Sequence, residues 1–443
     1  MTSSQPPLVP CQWFARLASA LDRRSAPRLV LLFLGAVLAR GRRTVTSWIR
    51  AGGLSDQFRP CYTAVAAAGK KAEALAASLT LAAVKPLVGG ATRVMLALDD
   101  TPTPRYGPHV QGAGIHHNPT PGPAGSPYVY GHVFVVLGLL ATHPAWGVIA
   151  LPLLARMYVR KKDLIGIDPK HRPAFRTKLE LAVELLRWAK LWLGSLEKPL
   201  WVVADGAYAK APFLKPAQAL GMTVVSRLRK DAALRTVPGP RPEGQRGRPR
   251  IYGRETIDLA KRGGQRRGWT TEAFDLYGEH VVKRYKTFLA TWRPAGGAIR
   301  VVLVDEPHGW RAYFCTDPSA SVAEVLTAVA DRFSLEIAFR DCKEVVGAGQ
   351  QQVRFVWANV GAFHLCLWTF TMTEAWAWGR PAKELVDRST SPWDQASRRP
   401  SHADKRRAWR RALLDEEIRA VLHPGVTAAE IQAAADRLLR LAA

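Results

Sequence analysis

The chain has 443 residues, room for about two to four domains, and its 63 Lys and Arg against 36 Asp and Glu leave a net charge of +27. That imbalance points to a polyanionic partner, either nucleic acid or an acidic membrane. A hydrophobic share of 48% with 15 Trp excludes a disordered chain, because it can bury enough apolar area to offset chain entropy.

Residues 11–85 carry apolar side chains at helical spacing, broken only by short glycine turns, which predicts a set of packed helices. Within it, residues 41–53 read as a short helix with Arg42 and Arg43 at its start, Thr44, Thr46 and Ser47 outside, and Trp48 and Ile49 inside. A recognition helix is built this way, and so is an ordinary bundle helix with a basic outer face. The apolar run at 29–39 is too short to cross a bilayer, and the longer one at 133–155 is broken by His143-Pro144 and Gly147, a turn between buried strands. No membrane partner is therefore expected. The opening MTSSQPPLVPCQW has no basic stretch leading into an apolar one, so the expected location is the cytoplasm, at the nucleoid. Cysteines 11, 61, 315, 342 and 366 lie too far apart for a Cys-x-x-Cys zinc site and are expected as reduced, mostly buried thiols.

From residue 93 strands take over. Val94–Leu98 is a buried strand ending in Asp99-Asp100-Thr101-Pro102, and two long strands flank the turn at 143–147. Residues 174–192 form an amphipathic helix, Trp201–Ala204 a strand ending in Asp205-Gly206, 211–220 a helix and 222–228 a strand. Three strands, helix, strand, helix is the order of an α/β mixed sheet with helices packed on it. Residues 237–253, rich in Pro, Gly and Arg, form a loop; strand-like alternation fills 254–316, and helical spacing returns at about 320 and runs to 378. A loop and then a basic helix around Trp409 complete the chain.

Asp100, Asp205 and Glu336 are the candidate catalytic and metal-binding acids. Two-metal phosphoryl transfer needs about three carboxylates converging on a pair of cations from rigid elements. Two of these acids end central strands, where an α/β sheet exposes functional side chains, and the third lies on a later helix. A single strand-end Asp is equally a turn or N-cap residue. On the helix, Arg332, Glu336, Arg340 and Lys343 share one face, with Val322, Val325, Val329, Phe333 and Ile337 as the neighbouring buried stripe. The same face also suits a solvated row of ion pairs. Asp99 competes with Asp100, and strand alternation puts Asp100 in phase with Val94, Leu96 and Leu98.

These residues resemble the bacterial insertion-sequence transposases of the DDE superfamily, in the branch with a Tyr, Arg, Glu, Lys signature at gaps of two, three and six residues. Arg332, Glu336 and Lys343 match it, and Val329 stands at the Tyr position. Asp100-Thr101 matches the family's Asp-Thr, and WVVADGAYAK is similar to its second acidic motif, giving Asp205. The resemblance implies a ribonuclease-H-like mixed sheet with flanking helices, interrupted by a β-rich insertion between Asp205 and Glu336, with helical N- and C-terminal parts. Expected units are a helical DNA-binding part (1–90), the core's first part (91–230), linker and β-rich insertion (231–319), the core's helical end (320–378) and a basic helical C-terminal region (379–443). It further implies Mg²⁺ as cofactor with Mn²⁺ as substitute, double-stranded DNA as partner (terminal inverted repeats and target), and a homodimer on DNA. Arg332, Arg340 and Lys343 would grip phosphates.

Three lesser signals remain. Arg246, Arg248 and Arg250 in RGRPR suit a narrow minor groove, or serve as a plain basic linker. His116 and His117 are adjacent, poorly spaced for one ion, and read as loop residues. Trp269, Trp292 and Trp310 read as core of the insertion.

Overall fold

The structure, a computed structural model, describes residues 10–118, 125–241, 243–389, 391–420, 422 and 425–442. Residues 1–9 of the opening segment and the side chain of Cys11 lie outside it. The chain begins with helices α1 (Pro10–Ala18), α2 (Ser25–Leu38), α3 (Val45–Ala51), α4 (Phe58–Lys70) and α5 (Ala72–Leu79). Strands β1 (Val94–Pro104), β2 (Gly114–His117), β3 (Tyr128–His143) and β4 (Gly147–Tyr158) follow, then α6 (Lys178–Leu193), β5 (Leu200–Ala204), α7 (Ala211–Ala219) and β6 (Met222–Leu228). The order β4-β3-β1-β5-β6, with β1 antiparallel to β3 and parallel to β5, is the ribonuclease-H-like sheet.

The next segment contains β7 (Leu234–Arg235), β8 (Thr256–Ile257), α8 (Leu259–Gly264), β9 (Thr270–Leu276), β10 (Glu279–Trp292), β11 (Gly297–Asp305) and β12 (Arg311–Cys315). β12 pairs antiparallel with β6, so this β-rich segment extends the core sheet through shared backbone hydrogen bonds. Residues 259–264, expected as strand, are helical because Asp258 caps them through Lys261 N.

The rest is helical: α9 (Val322–Asp341), α10 (Val356–Ala377), α11 (Ala382–Leu385), α12 (His402–Ala420) and α13 (Ala428–Ala442). Ser321 and Glu324 close a capping box at the start of α9. The continuous helical spacing expected over 320–378 is broken: α9 ends in a wide turn at Cys342–Val346, Gly347 takes φ +92, and the chain runs without helix to Phe355. Another expectation changes on α9 itself, where the buried residues are Val325, Leu326, Ala328, Ala330, Leu335, Ala338 and Phe339, whereas Phe333 is 49% exposed. Phe333 meets the Tyr277 ring edge-on at 6.4 Å. His116, expected in a loop, lies in β2 and is buried. Trp292 is core, and Trp269 is half-buried, with Arg284 and Lys286 both over its ring.

α10 is apolar all round and buried along nearly its whole length, as a helix at the centre of a large core must be. β4 hydrogen-bonds to β3 alone among the described strands, and α10 satisfies its free edge. Ala155 N donates to His364 Nε2 (3.0 Å), Trp368 Nε1 donates to Leu153 O (2.8 Å) and Thr371 Oγ1 to Pro152 O (2.6 Å). Pro152, which has no N–H, is tolerated because the strand is an edge. Burial pulls the His364 pKa down to about 4, keeping the ring neutral so that Nε2 can accept. The long apolar run at 133–155 is thus a hairpin under a helix. Among the described residues, no helix is long and apolar enough to cross a membrane. Cys61, Cys315, Cys342 and Cys366 are free and buried, as expected.

Much of the basic C-terminal cluster points inward. Arg406 Nη2 donates to the carbonyls of Ala36 (3.0 Å) and Ala39 (2.7 Å), capping α2, and Trp409 stacks on Trp376. Lys405 and His402 hold the buried Glu374 carboxylate. Burial opposes its charge, but Lys405 and His402 outweigh that and draw its pKa to about 2. A depressed carboxylate stabilises the fold fully above its unfolded pKa near 4.5 and loses that contribution as pH falls toward 2. Glu374→Gln is expected to lose about 3 kcal/mol at neutral pH, by stranding Lys405, and to flatten the acid limb of a Tm-against-pH curve. An acid limb identical to that of the wild type would contradict this.

Candidate active site

Register brings the first two acids together. β1 and β5 run parallel with Leu98 opposite Ala204, so the next step along each strand sets Asp99 beside Asp205. Asp205 starts a short turn in which its own carboxylate accepts from Ala207 N at 3.4 Å. Odd-numbered positions of both strands face α9. Arg93 lies 4.3 Å over the Trp201 ring and pairs with Glu324, and Leu335 packs toward Gly138, the partner of Ala97. On that side Arg332 donates from Nη1 to Asp99 Oδ2 (2.6 Å) and from Nη2 to Glu336 Oε1 (2.7 Å).

Asp100 is turned the other way, in phase with Leu96 and Leu98 as alternation requires. Its Oδ2 accepts from Lys178 Nζ at 2.5 Å, at the start of α6, and its Oδ1 lies 3.5 Å from the Tyr208 hydroxyl. Lys178 and Tyr208 were not singled out from sequence, although Tyr208 belongs to the Asp-Gly-x-Tyr run after β5. Burial, with Asp100 and Asp99 beside it, pushes the Tyr208 phenol well above its ordinary range, so it stays a neutral donor.

The electrostatics fit a cluster of acids held by one cation. Burial raises the Asp99 pKa to about 6; Asp100 and Asp205 push the same way and Arg332 opposes them. Burial alone would lower the Arg332 pKa, but Asp99, Glu336 and Asp205 together raise it. Two like charges about 4 Å apart repel by about 4 kcal/mol at an effective dielectric of 20, so a bridging guanidinium is what lets these acids gather. Among the described residues, no three acidic, His or Cys side chains converge closely enough to hold an ion as they stand. Asp100, expected as the first metal acid, faces Lys178 and Tyr208 instead of α9, and its competitor Asp99 is the one that Arg332 joins to Glu336; carboxylate oxygens such as those of Asp99, Asp205 and Glu336 suit a hard divalent cation.

The other predicted residues separate into different places. Arg340 points outward beside Asp341. Lys343 falls on the wide turn after α9, half-buried, its pKa lowered by burial, and lines a cavity shared with Arg42. Arg43 is tied down, its backbone N donating to Gln350 Oε1 (2.8 Å), while Thr44 caps α3 through Ser47 N and Trp48 and Ile49 are buried as expected. Arg246, Arg248 and Arg250 are exposed and line a separate groove of about 800 Å³. A groove of about 450 Å³, lined by Arg227, Lys230 and Arg311, leads directly off Asp205.

A family model described as DDE superfamily endonuclease matches residues 16–296. The chain belongs to the DDE superfamily endonucleases. In this DDE endonuclease the matched span carries Asp99, Asp100 and Asp205 and ends before Glu336, so the third acid rests on the geometry of α9. No relative among curated proteins matches the chain. Membership brings a divalent-metal-dependent, transposase- or nuclease-like activity and DNA as the substrate class.

Proposed function

We propose that this DDE endonuclease is a DNA transposase that cleaves element ends and joins them to target DNA, with Asp99, Asp205 and Glu336 as the metal-holding acids. The observation that carries this is the Arg332 bridge, which ties an acid of β1 to an acid of α9 beside the Asp205 position. Mg²⁺, with Mn²⁺ as substitute, is the cation the oxygen donors favour. When bound, a pair of such ions supplies activation of the attacking water or 3′-hydroxyl and neutralises the leaving oxygen.

The protein's own groups do the rest. Arg332, displaced from the acids, is placed to hold a phosphate next to the scissile one, and Arg227, Lys230 and Arg311 extend a cationic path away from Asp205. Lys178 and Tyr208 anchor Asp100 on the far side, fixing the direction of Asp99. Arg42, Arg43, Arg340, Lys343 and the Arg246–Arg250 loop are further DNA contacts in this reading. Bringing two ends together requires two copies on DNA, and the net charge of +27 suits a nucleoid location.

The test is an assay with DNA bearing the element's terminal inverted repeats, scoring nicking and joining separately with Mg²⁺ and with chelator. Metal-dependent nicking followed by joining is expected. Nicking without joining would make the chain a nuclease, and binding without either would make it a DNA-binding protein derived from such an enzyme.

A further inference from the structure

The cavity that Lys343 shares with Arg42 lies apart from the carboxylates. It holds about 710 Å³ and opens between the exit of β1, residues 104–110, and the loop joining α9 to α10, residues 348–354, with Arg42 and Lys343 at its sides. Its charge is one-sided: Arg42, Arg105, Lys343 and Arg354 line it, and no carboxylate does. Arg42, Lys343 and Arg354 have no hydrogen-bond or ion-pair partner for their side chains among the described residues.

Arg105 is the built part of the site. It is 5% exposed; its Nε donates to Asn359 Oδ1 (3.0 Å) and its Nη1 to the carbonyls of Pro104 (3.0 Å) and Gly349 (2.8 Å). Asn359 is itself locked, its Nδ2 donating to Val353 O and Phe355 O at 3.0 Å each, which turns its oxygen to Arg105. Gln351 fixes the loop, donating to Arg43 O (2.9 Å) and Gly347 O (2.8 Å). Arg105 Nη2 is left without a partner. An unmet buried donor costs about 1–3 kcal/mol, and four uncompensated cations repel one another, so both terms favour an anion. The walls between the cations are apolar: Pro104, Tyr106, Pro108, Val110 and Val353. The volume is that of a small-ligand pocket, roughly 300–1,000 Å³, and does not admit a duplex.

We infer that this cavity takes one nucleotide of a single DNA strand leaving the carboxylates, its phosphate against the cations and its base against Tyr106 and Pro108. The inference rests on the reading of the chain as acting on DNA. The path is short. Arg105 follows Asp99 by six residues of extended chain, about 20 Å, and Lys343 follows Glu336 by about 10 Å of helix axis. At the duplex rise of about 3.4 Å per step, roughly six nucleotides cover the distance, and a more extended single strand covers it with fewer, so a six-nucleotide tail reaches the cavity in either case.

Fluorescence anisotropy at fixed salt, comparing blunt duplex with the same duplex carrying a six-nucleotide single-stranded tail, tests it. The wild-type protein is expected to bind tailed DNA about tenfold tighter, and to quench 2-aminopurine at the tail's far end. Arg354→Ala with Tyr106→Ala should bring tailed DNA down to the blunt value, leaving blunt binding within about twofold. Arg105→Lys, checked for an unchanged fold by circular dichroism, should lose the preference too. Equal preference in wild type and variants would overturn the inference while leaving the transposase reading intact. A Tm rise with deoxyadenosine monophosphate, lost in Arg354→Ala and unaccompanied by any tail preference, would assign the cavity to a free nucleotide and overturn the strand. No binding to either DNA would end the underlying reading and the inference with it.

Discussion

Asp99→Asn and Asp205→Asn are each expected to slow DNA strand cleavage at least about a thousandfold, a loss of about 4 kcal/mol in transition-state stabilisation, with DNA binding within about threefold of wild type. Each removes a carboxylate from the side of the sheet that α9 covers, where Arg332 joins Asp99 to Glu336. Asp100→Asn is expected to cost only about tenfold, because that acid faces Lys178 and Tyr208 and acts on Asp99 through the strand. Single-turnover cleavage of a nicked-end substrate in Mg²⁺ measures the three variants side by side. The reverse ranking, with Asp100→Asn dead and Asp99→Asn near wild type, would transfer the role to Asp100 and require β1 to rotate when DNA binds.

Gly361→Ala is the second large effect, on stability. α4 and α10 cross backbone to backbone: a Cβ at Gly361 would stand 1.9 Å from Val65 O, and one at Gly69 would stand 2.0 Å from Trp357 O. Neither obstacle is a side chain that can swing aside. Relief requires the helices to separate by more than about 1 Å, which forfeits a quarter to a half of each dispersion contact along the crossing, so a loss above about 5 kcal/mol is expected. Urea unfolding, or soluble yield if the variant does not fold, reads it. A midpoint within experimental scatter of wild type would mean that α4 and α10 can part at this crossing at little cost.

The end of β5 at Asp205 was legible from an apolar run followed by a polar turn, whereas β1 does not end where its apolar run does: it stays paired with β3 through Asp99 and Asp100 to Pro104. Alternation correctly told which residues share a side with Asp100, but not which side α9 would cover, since that depends on contacts with a helix more than two hundred residues away. The same blindness misplaced Phe333, whose neighbour Tyr277 sits on a hairpin tip of the inserted segment. The residues around Trp409 read in the sequence only as a basic helix, and the structure turns Lys405 to Glu374 and Arg406 to the end of α2. Composition cannot separate a cation that caps a distant helix from one that awaits a phosphate. Arg105 illustrates the converse: a single arginine after a strand carries no pattern, and only its burial beside Asn359 marks it.

The way α10 closes the β4 edge has a consequence for biosynthesis. The hairpin of β3 and β4 leaves the ribosome about two hundred residues ahead of α10, so at about 5–20 residues per second its open edge waits roughly 10 to 40 s for its cover. During that interval an apolar, unprotected strand is available to any neighbouring nascent chain. Yield of the protein in cells should therefore respond to chaperones that shield emerging strands more strongly than the finished fold's stability would suggest.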